Sequence, residues 1–202
     1  MTAKGSGEGI REEIRAFIAI DLPAVLLDEI GRMQDDLKDR TMGIRWVKSG
    51  NIHLTLKFLG DMPIELLDEL GEILASACRG QAPLELSMGE PGGFPNMERP
   101  RVIWLGLLGE LEKLDTLVRE IEEGCYSLGL PREKRTFRPH LTLGRVKDWR
   151  KISADLADLL GSAKTASADR FAVNAVHLYR SDLTRDGAIY TKLKSFPLKQ
   201  EK

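Results

Sequence analysis

The chain carries the tetrapeptide His-Leu-Thr-Leu twice, beginning at His53 and again at His140, 87 positions apart. The pattern of apolar residues around each copy repeats at nearly the same offset. Residues 15–20 read as a short apolar strand, and the next segment as a helix striped by Leu26, Leu27, Ile30, Met33 and Leu37. Residues 44–47 follow, then a strand at 52–59 holding the first tetrapeptide. Pro63 opens a helix with Leu66, Leu67, Leu70, Ile73, Leu74 and Ala77 on one side, and 83–88 reads as a further strand. From Arg101 the order restarts: a strand at 102–107, a helix striped by Leu111, Leu114, Leu117, Val118 and Ile121, and a strand at 139–146 with the second tetrapeptide. A short helix about Ile152, Leu156, Leu159 and Leu160 comes next, then strands at 171–178 and 188–196. Arg15 to Arg101 is 86 positions and Pro83 to Phe171 is 88, so the offset is nearly constant and argues for duplication.

Two strand-helix-strand-helix-strand units, each with one apolar sheet face, can pack about an approximate two-fold axis that brings equivalent residues face to face. The expected organisation is a single domain over 13–200, with an internal repeat at about 15–89 and 101–178 and a loose tail at 1–12. Residues 90–101, with three prolines and two glycines, are expected to be a loop between the copies. Linkage is its default role, and Phe94 beside Gly92 and Gly93 is a candidate to cover a ligand.

On a strand, residues i and i+2 share a face, so each tetrapeptide presents an imidazole and a hydroxyl together while its leucines point to the core. If the copies face one another, His53, Thr55, His140 and Thr142 line one cleft. These groups suit phosphate ester cleavage. One histidine, with an ordinary pKa of ~6.5, can take a proton from water while the other gives one to the departing sugar oxygen. The threonine hydroxyls can donate hydrogen bonds to phosphate oxygens. The third histidine, His177, has no threonine two residues on and reads as structural or surface.

Lysine plus arginine number 30 against 31 aspartate plus glutamate, a net of −1, which excludes a protein that coats long nucleic acid by bulk charge. One local exception exists. Arg132, Lys134, Arg135, Arg138, Arg145, Lys147, Arg150 and Lys151 face only Glu133 and Asp148, a net of +6 around His140. Such a run is usually a solvated face, and here it can attract an RNA backbone. Trp46 and Phe137 each precede a tetrapeptide strand, where they either pack in the core or stack a base. Cys78 and Cys125 lie in helical patterns with apolar neighbours and read as core residues. That usage fits a reducing, cytoplasmic setting and supplies no metal site, so neither metal nor cofactor is expected. No membrane span is expected either.

The segments R-A-F-I-A-I-D-L-P, W-V-K-S-G-N-I-H-L-T-L-K-F-L-G, G-G-F-P-N-M-E-R-P-R-V-I-W-L-G, F-R-P-H-L-T-L-G-R and L-Y-R-S-D-L-T-R-D-G-A-I-Y-T-K-L resemble the two-histidine (2H) phosphoesterase superfamily. Within it they are similar to the RNA 2',3'-cyclic phosphodiesterases first named 2'-5' RNA ligases. The resemblance runs from about Arg15 to Leu198. It implies an α+β, bilobal, pseudo-two-fold fold with two antiparallel sheets flanked by helices around a central groove. It further implies hydrolysis of RNA 2',3'-cyclic phosphate ends to 2'-phosphomonoesters, with reversible 2'-5' ligation as the reverse reaction. Carried over by position, His53 is the proton donor, His140 the proton acceptor, Thr55 and Thr142 the phosphate-binding hydroxyls, and Arg145 an arginine near the phosphate. Arg145 is five residues past His140, an odd strand position, so a turn after Gly144 is expected to redirect it. The expected partners are RNA ends or short oligonucleotides, bound by a monomer. The alternatives are a cyclic phosphodiesterase acting on a small nucleotide such as ADP-ribose 1",2"-cyclic phosphate, and a catalytically silent nucleotide-binding module.

Overall fold

Alternating apolar strands and striped helices give nine strands and four α-helices in the computed structural model, which describes residues 12–38, 40–151, 156–162, 170–185 and 187–199. Residues 1–11 of the expected tail and Ile152 of the expected short helix lie outside the described residues. In chain order the elements are β1 (Glu13–Ile20), α1 (Ala24–Lys38), β2 (Ile44–Trp46), β3 (Leu54–Pro63), α2 (Leu67–Arg79) and β4 (Leu84–Phe94). They continue with β5 (Val102–Gly109), α3 (Leu111–Ser127), β6 (His140–Val146), α4 (Leu156–Ser162), β7 (Phe171–Val173), β8 (Ala175–Thr184) and β9 (Gly187–Pro197).

All strand pairings are antiparallel, and the order is β7-β4-β5-β6-β3-β1-β8-β9, with β2 added on β6. The two sheets expected are the two arms of this one sheet. They meet between β3 and β6 at a single residue pair, Leu54 with Leu141, and splay apart on either side. Both leucines are fully buried on the helix side of the seam. The helices cover that side with their apolar stripes: Leu26, Ile30, Met33 and Leu37 of α1, Leu70, Leu74 and Cys78 of α2, and Leu114, Leu117, Ile121 and Cys125 of α3. Cys78 and Cys125 are free and buried, and burial pushes their thiols up to about 12 and about 11, as befits core residues.

Three expectations are corrected. The strand read at 171–178 is two strands broken at Asn174, whose carbonyl leaves the ladder to accept from the Leu198 amide at 2.8 Å. On one side of the break β7 pairs with β4, and on the other β8 pairs with β1. By its place in the sheet, β8 is therefore the counterpart of β4, and the third strand of each copy lies in the other copy's arm. The loop expected at 90–101 is half strand: β4 runs on to Phe94, with an irregularity between Met88 and Pro91 that absorbs the proline. Its glycines serve packing, since a Cβ on Gly92 would lie 2.3 Å from the Trp104 ring. The third is the turn expected after Gly144 to redirect Arg145: β6 continues through both residues to Val146.

Candidate active site

The antiparallel pair Leu54 with Leu141 fixes what its neighbours do. Extending the register one residue each way sets His53 against Thr142 and Thr55 against His140, and directly opposed residues share a face. With the leucines turned to the helices, both imidazoles and both hydroxyls face the groove between the arms. The structure thus brings together the four groups that the tetrapeptides suggested.

Each ring is held the same way. Nδ1 of His53 is 2.9 Å from the Asn51 carbonyl oxygen, and Nδ1 of His140 is 2.6 Å from that of Arg138, in both cases two residues upstream. A carbonyl only accepts, so Nδ1 carries the hydrogen and Nε2 is left for chemistry, a lone pair when neutral and an N–H donor when charged. Aromatic rings fix the planes. His53 stacks on Phe17 at 4.8 Å and meets the edge of Tyr190 at 5.3 Å, while His140 meets Phe94 edge-on at 5.0 Å. Phe94, from the segment read chiefly as linkage, is therefore a wall of the site.

Burial lowers the pKa of both histidines, and the bonds to Asn51 and Arg138 oppose it. The neighbouring charges differ in sign. Asp21 favours protonation of His53, whereas Arg135 disfavours protonation of His140. Asp21 anchors a polar cluster that sequence reasoning missed. It accepts from Tyr179 Oη at 2.6 Å and from Lys192 Nζ at 2.6 Å, and lies 3.5 Å from His177 Nε2. Burial alone would raise the Asp21 carboxyl, but the bonds from Lys192 and Tyr179 outweigh it and hold the group ionised. Tyr179 is pushed up, by burial first and then by its bond to Asp21. His177 is thus structural, with Ser195 Oγ 2.9 Å from its Nδ1.

Arg145 reaches the groove without a turn. Trp104 pairs with Thr142 and Val102 with Arg145, so two steps along β5 match three along β6, and Leu143 is a bulge. Since Val102 and Trp104 share a face, Arg145 returns to the face of Thr142. The Leu143 carbonyl accepts from the Val47 amide at 2.8 Å and from Nε2 of the buried Gln34 at 3.0 Å, so α1 pins the bulge. Opposite Arg145 on β2 stands Arg45, which the sequence reading did not single out. Neither guanidinium has an ion-pair partner among the described residues, and Arg45 reaches toward Gly187 of the other arm, where an added Cβ would lie 3.4 Å from its Nη2. Two opposed, unpaired cations are costly unless an anion lies between them.

Trp46 and Phe137 are half-buried and pack on the core. Of the basic run, Arg132 is tied bidentately to Glu123 at 2.6 Å, Arg135 pairs with Glu133 at 3.2 Å, and Arg150 pairs with Asp148 at 3.0 Å. No helix among the described residues is long and apolar enough to cross a membrane.

Residues 28–185 match the sequence profile of the 2'-5' RNA ligase superfamily. A Methanothermobacter thermautotrophicus protein named RNA 2',3'-cyclic phosphodiesterase is 37% identical over 92% of this chain and 100% of its own length. A Methanocaldococcus jannaschii protein of the same name is 35% identical over 91% of this chain and 100% of its own. Among solved structures, apo Escherichia coli LigT superposes with a TM-score of 0.73 at 27% identity, covering 94% of this chain and 99% of that one. LigT has also been solved with 3'-AMP, with a TM-score of 0.69 to this chain at 28% identity, covering 94% of this chain and 100% of that one.

Proposed function

The chain belongs to the 2'-5' RNA ligase superfamily of two-histidine phosphoesterases, and from that premise we propose that it hydrolyses the 2',3'-cyclic phosphate at an RNA end to a 2'-phosphomonoester, with His53 as proton donor and His140 as proton acceptor. The observation that carries this reading is the matched presentation of two imidazole Nε2 atoms and two hydroxyls on one face of the seam. In the reaction, Nε2 of neutral His140 takes a proton from water as its oxygen bonds to phosphorus. The bond from phosphorus to O3' breaks, and Nε2–H of charged His53 delivers its proton to that oxygen. Thr55 and Thr142 donate to the non-bridging oxygens as charge grows there, and Arg145 balances that charge from the end of β6. The turnover leaves His53 neutral and His140 charged, and exchange with solvent restores the starting state.

Identical motifs do not say which ring is the acid. The assignment carried by the family resemblance is supported by the surroundings: the Asp21 carboxylate favours a charged His53 and the Arg135 guanidinium favours a neutral His140. All four groups come from one chain, which supports action as a monomer. The reading is tested by product analysis with an oligonucleotide ending in a 2',3'-cyclic phosphate. A 2'-phosphate product formed undiminished after exhaustive chelation is expected. A 3'-phosphate product, or no turnover, would refute the reaction, and loss of activity on chelation with rescue by one divalent ion would refute its acid-base basis.

A further inference from the structure

The bulge at Leu143 on β6 has a counterpart on β3 at the position related to it by the same two-fold as the histidines. On β3, Ala19 pairs with Thr55 and Phe17 with Phe58, so two steps on β1 again match three on β3 with Leu56 left over. Phe58 stands five residues past His53, as Arg145 stands five past His140, and the bulge turns it to the groove in the same way. There it is 65% exposed, an unusual state for a phenylalanine between buried neighbours. The adjacent Lys57 points the other way, buried against α3, where Nζ donates to Glu122 at 2.7 Å and to the Pro131 carbonyl at 2.9 Å. That anchor lays the segment after Pro131 alongside Phe58, and Phe58, Pro131, Arg132, Glu133, Lys134 and Arg135 enclose an open cavity of about 490 Å³. Arg132 and Arg135 are held by carboxylates, whereas Lys134 makes no ion pair among the described residues. The cavity lies beside the site: the Phe58 ring is 6.3 Å from that of Phe17, which in turn stacks on His53.

We infer that Phe58 and Lys134 form a second nucleotide subsite, in which the Phe58 ring stacks a base of the RNA chain beyond the terminal nucleotide and Lys134 meets a phosphate of that chain. The inference rests on the reaction proposed above and names the part of the substrate that this end of the groove takes. The two ends of the groove are then chemically distinct where the two-fold would make them alike. Arg45 and Arg145 offer positive charge at one end, and Phe58 offers an aromatic face at the other. Interposed Phe17 separates Phe58 from His53, with ring centroids at most about 11 Å apart. That separation sets Phe58 beyond the rings that touch the catalytic imidazole, where a neighbouring base, not the terminal one, comes within reach.

The test compares kcat/KM for 2',3'-cyclic AMP with that for a short oligoadenylate ending in 2',3'-cyclic phosphate. Phe58→Ala is expected to lower the ratio of oligonucleotide to mononucleotide by about 5- to 150-fold, the range for losing one base-aromatic stack. Phe58→Trp should keep the ratio, and Phe58→Leu, which retains apolar area without a π face, should fall with the alanine variant. Lys134→Ala should lower the same ratio and flatten its dependence on salt. An unchanged ratio in Phe58→Ala, or equal losses on both substrates, would overturn the subsite. Wild-type protein inert on both substrates would instead overturn the reaction on which it rests.

Discussion

His53 and His140 share one geometry and differ in the charges around them. With one acid and one base, kcat/KM should follow a bell in pH, because only the singly protonated pair is productive. Burial lowers both pKa values, so both limbs of the free enzyme's bell should lie to the acid side of an unperturbed imidazole. A single limb would contradict the pairing. His53→Ala and His140→Ala should each lose about 10²- to 10⁴-fold. A substrate whose leaving group needs no proton should largely rescue the first and not the second, and the opposite pattern would exchange the roles. At the charged end of the groove, Arg145→Ala and Arg45→Ala should each lower kcat/KM by about 10- to 150-fold, the worth of one hydrogen bond to a charged group. The double variant should lose less than the product of the two, since both arginines would face one anion. Unchanged kinetics in either single variant would remove that arginine from the site. The histidines and threonines stood out because the tetrapeptide is repeated, and Arg145 came only with the family resemblance. Arg45 was not, because its place depends on a strand pairing between the two copies. Comparing the residues five past each histidine would have picked out Phe58.

The helix stripes and most strands followed from apolar periodicity, since that periodicity is what burial requires. The bulges at Leu56 and Leu143 left no such trace: each is a leucine in the core, and it becomes an extra residue only when the partner strand is in place. The break at Asn174 was hidden for the same reason, because an unbroken apolar run served two different partner strands. What holds the β3 bulge can be measured. The Lys57 and Glu122 side chains are only 2% and 18% exposed. Lys57→Ala should therefore cost about 3–5 kcal/mol by stranding a buried carboxylate. Combining Lys57→Met with Glu122→Leu should recover most of it. Denaturant midpoints decide the matter, and a loss below ~1 kcal/mol in Lys57→Ala would show that water reaches Glu122, as for a surface pair.

For the molecule entire, the matched order of strands in the two halves was legible in the offsets, but the exchange of third strands was not, since nothing local tells β4 and β8 which arm to join. Because β4 completes the arm of the second copy and β8 that of the first, neither copy has its full sheet alone. Cutting the chain in the turn between Pro95 and Pro100 should give two fragments that each lack cooperative unfolding, while their mixture regains the transition and the activity. A cooperative transition in either fragment alone would contradict this. The same crossing bears on synthesis. β1 lies between β3 and β8, so while the ribosome is still adding the second half, β1 presents an open hydrogen-bonding edge that only a strand more than a hundred residues downstream can close. The amino-terminal half thus cannot follow the common order in which early segments settle as they emerge. Its completion waits for translation to pass β8, and a nascent chain stalled before that point keeps one edge of β1 unpaired.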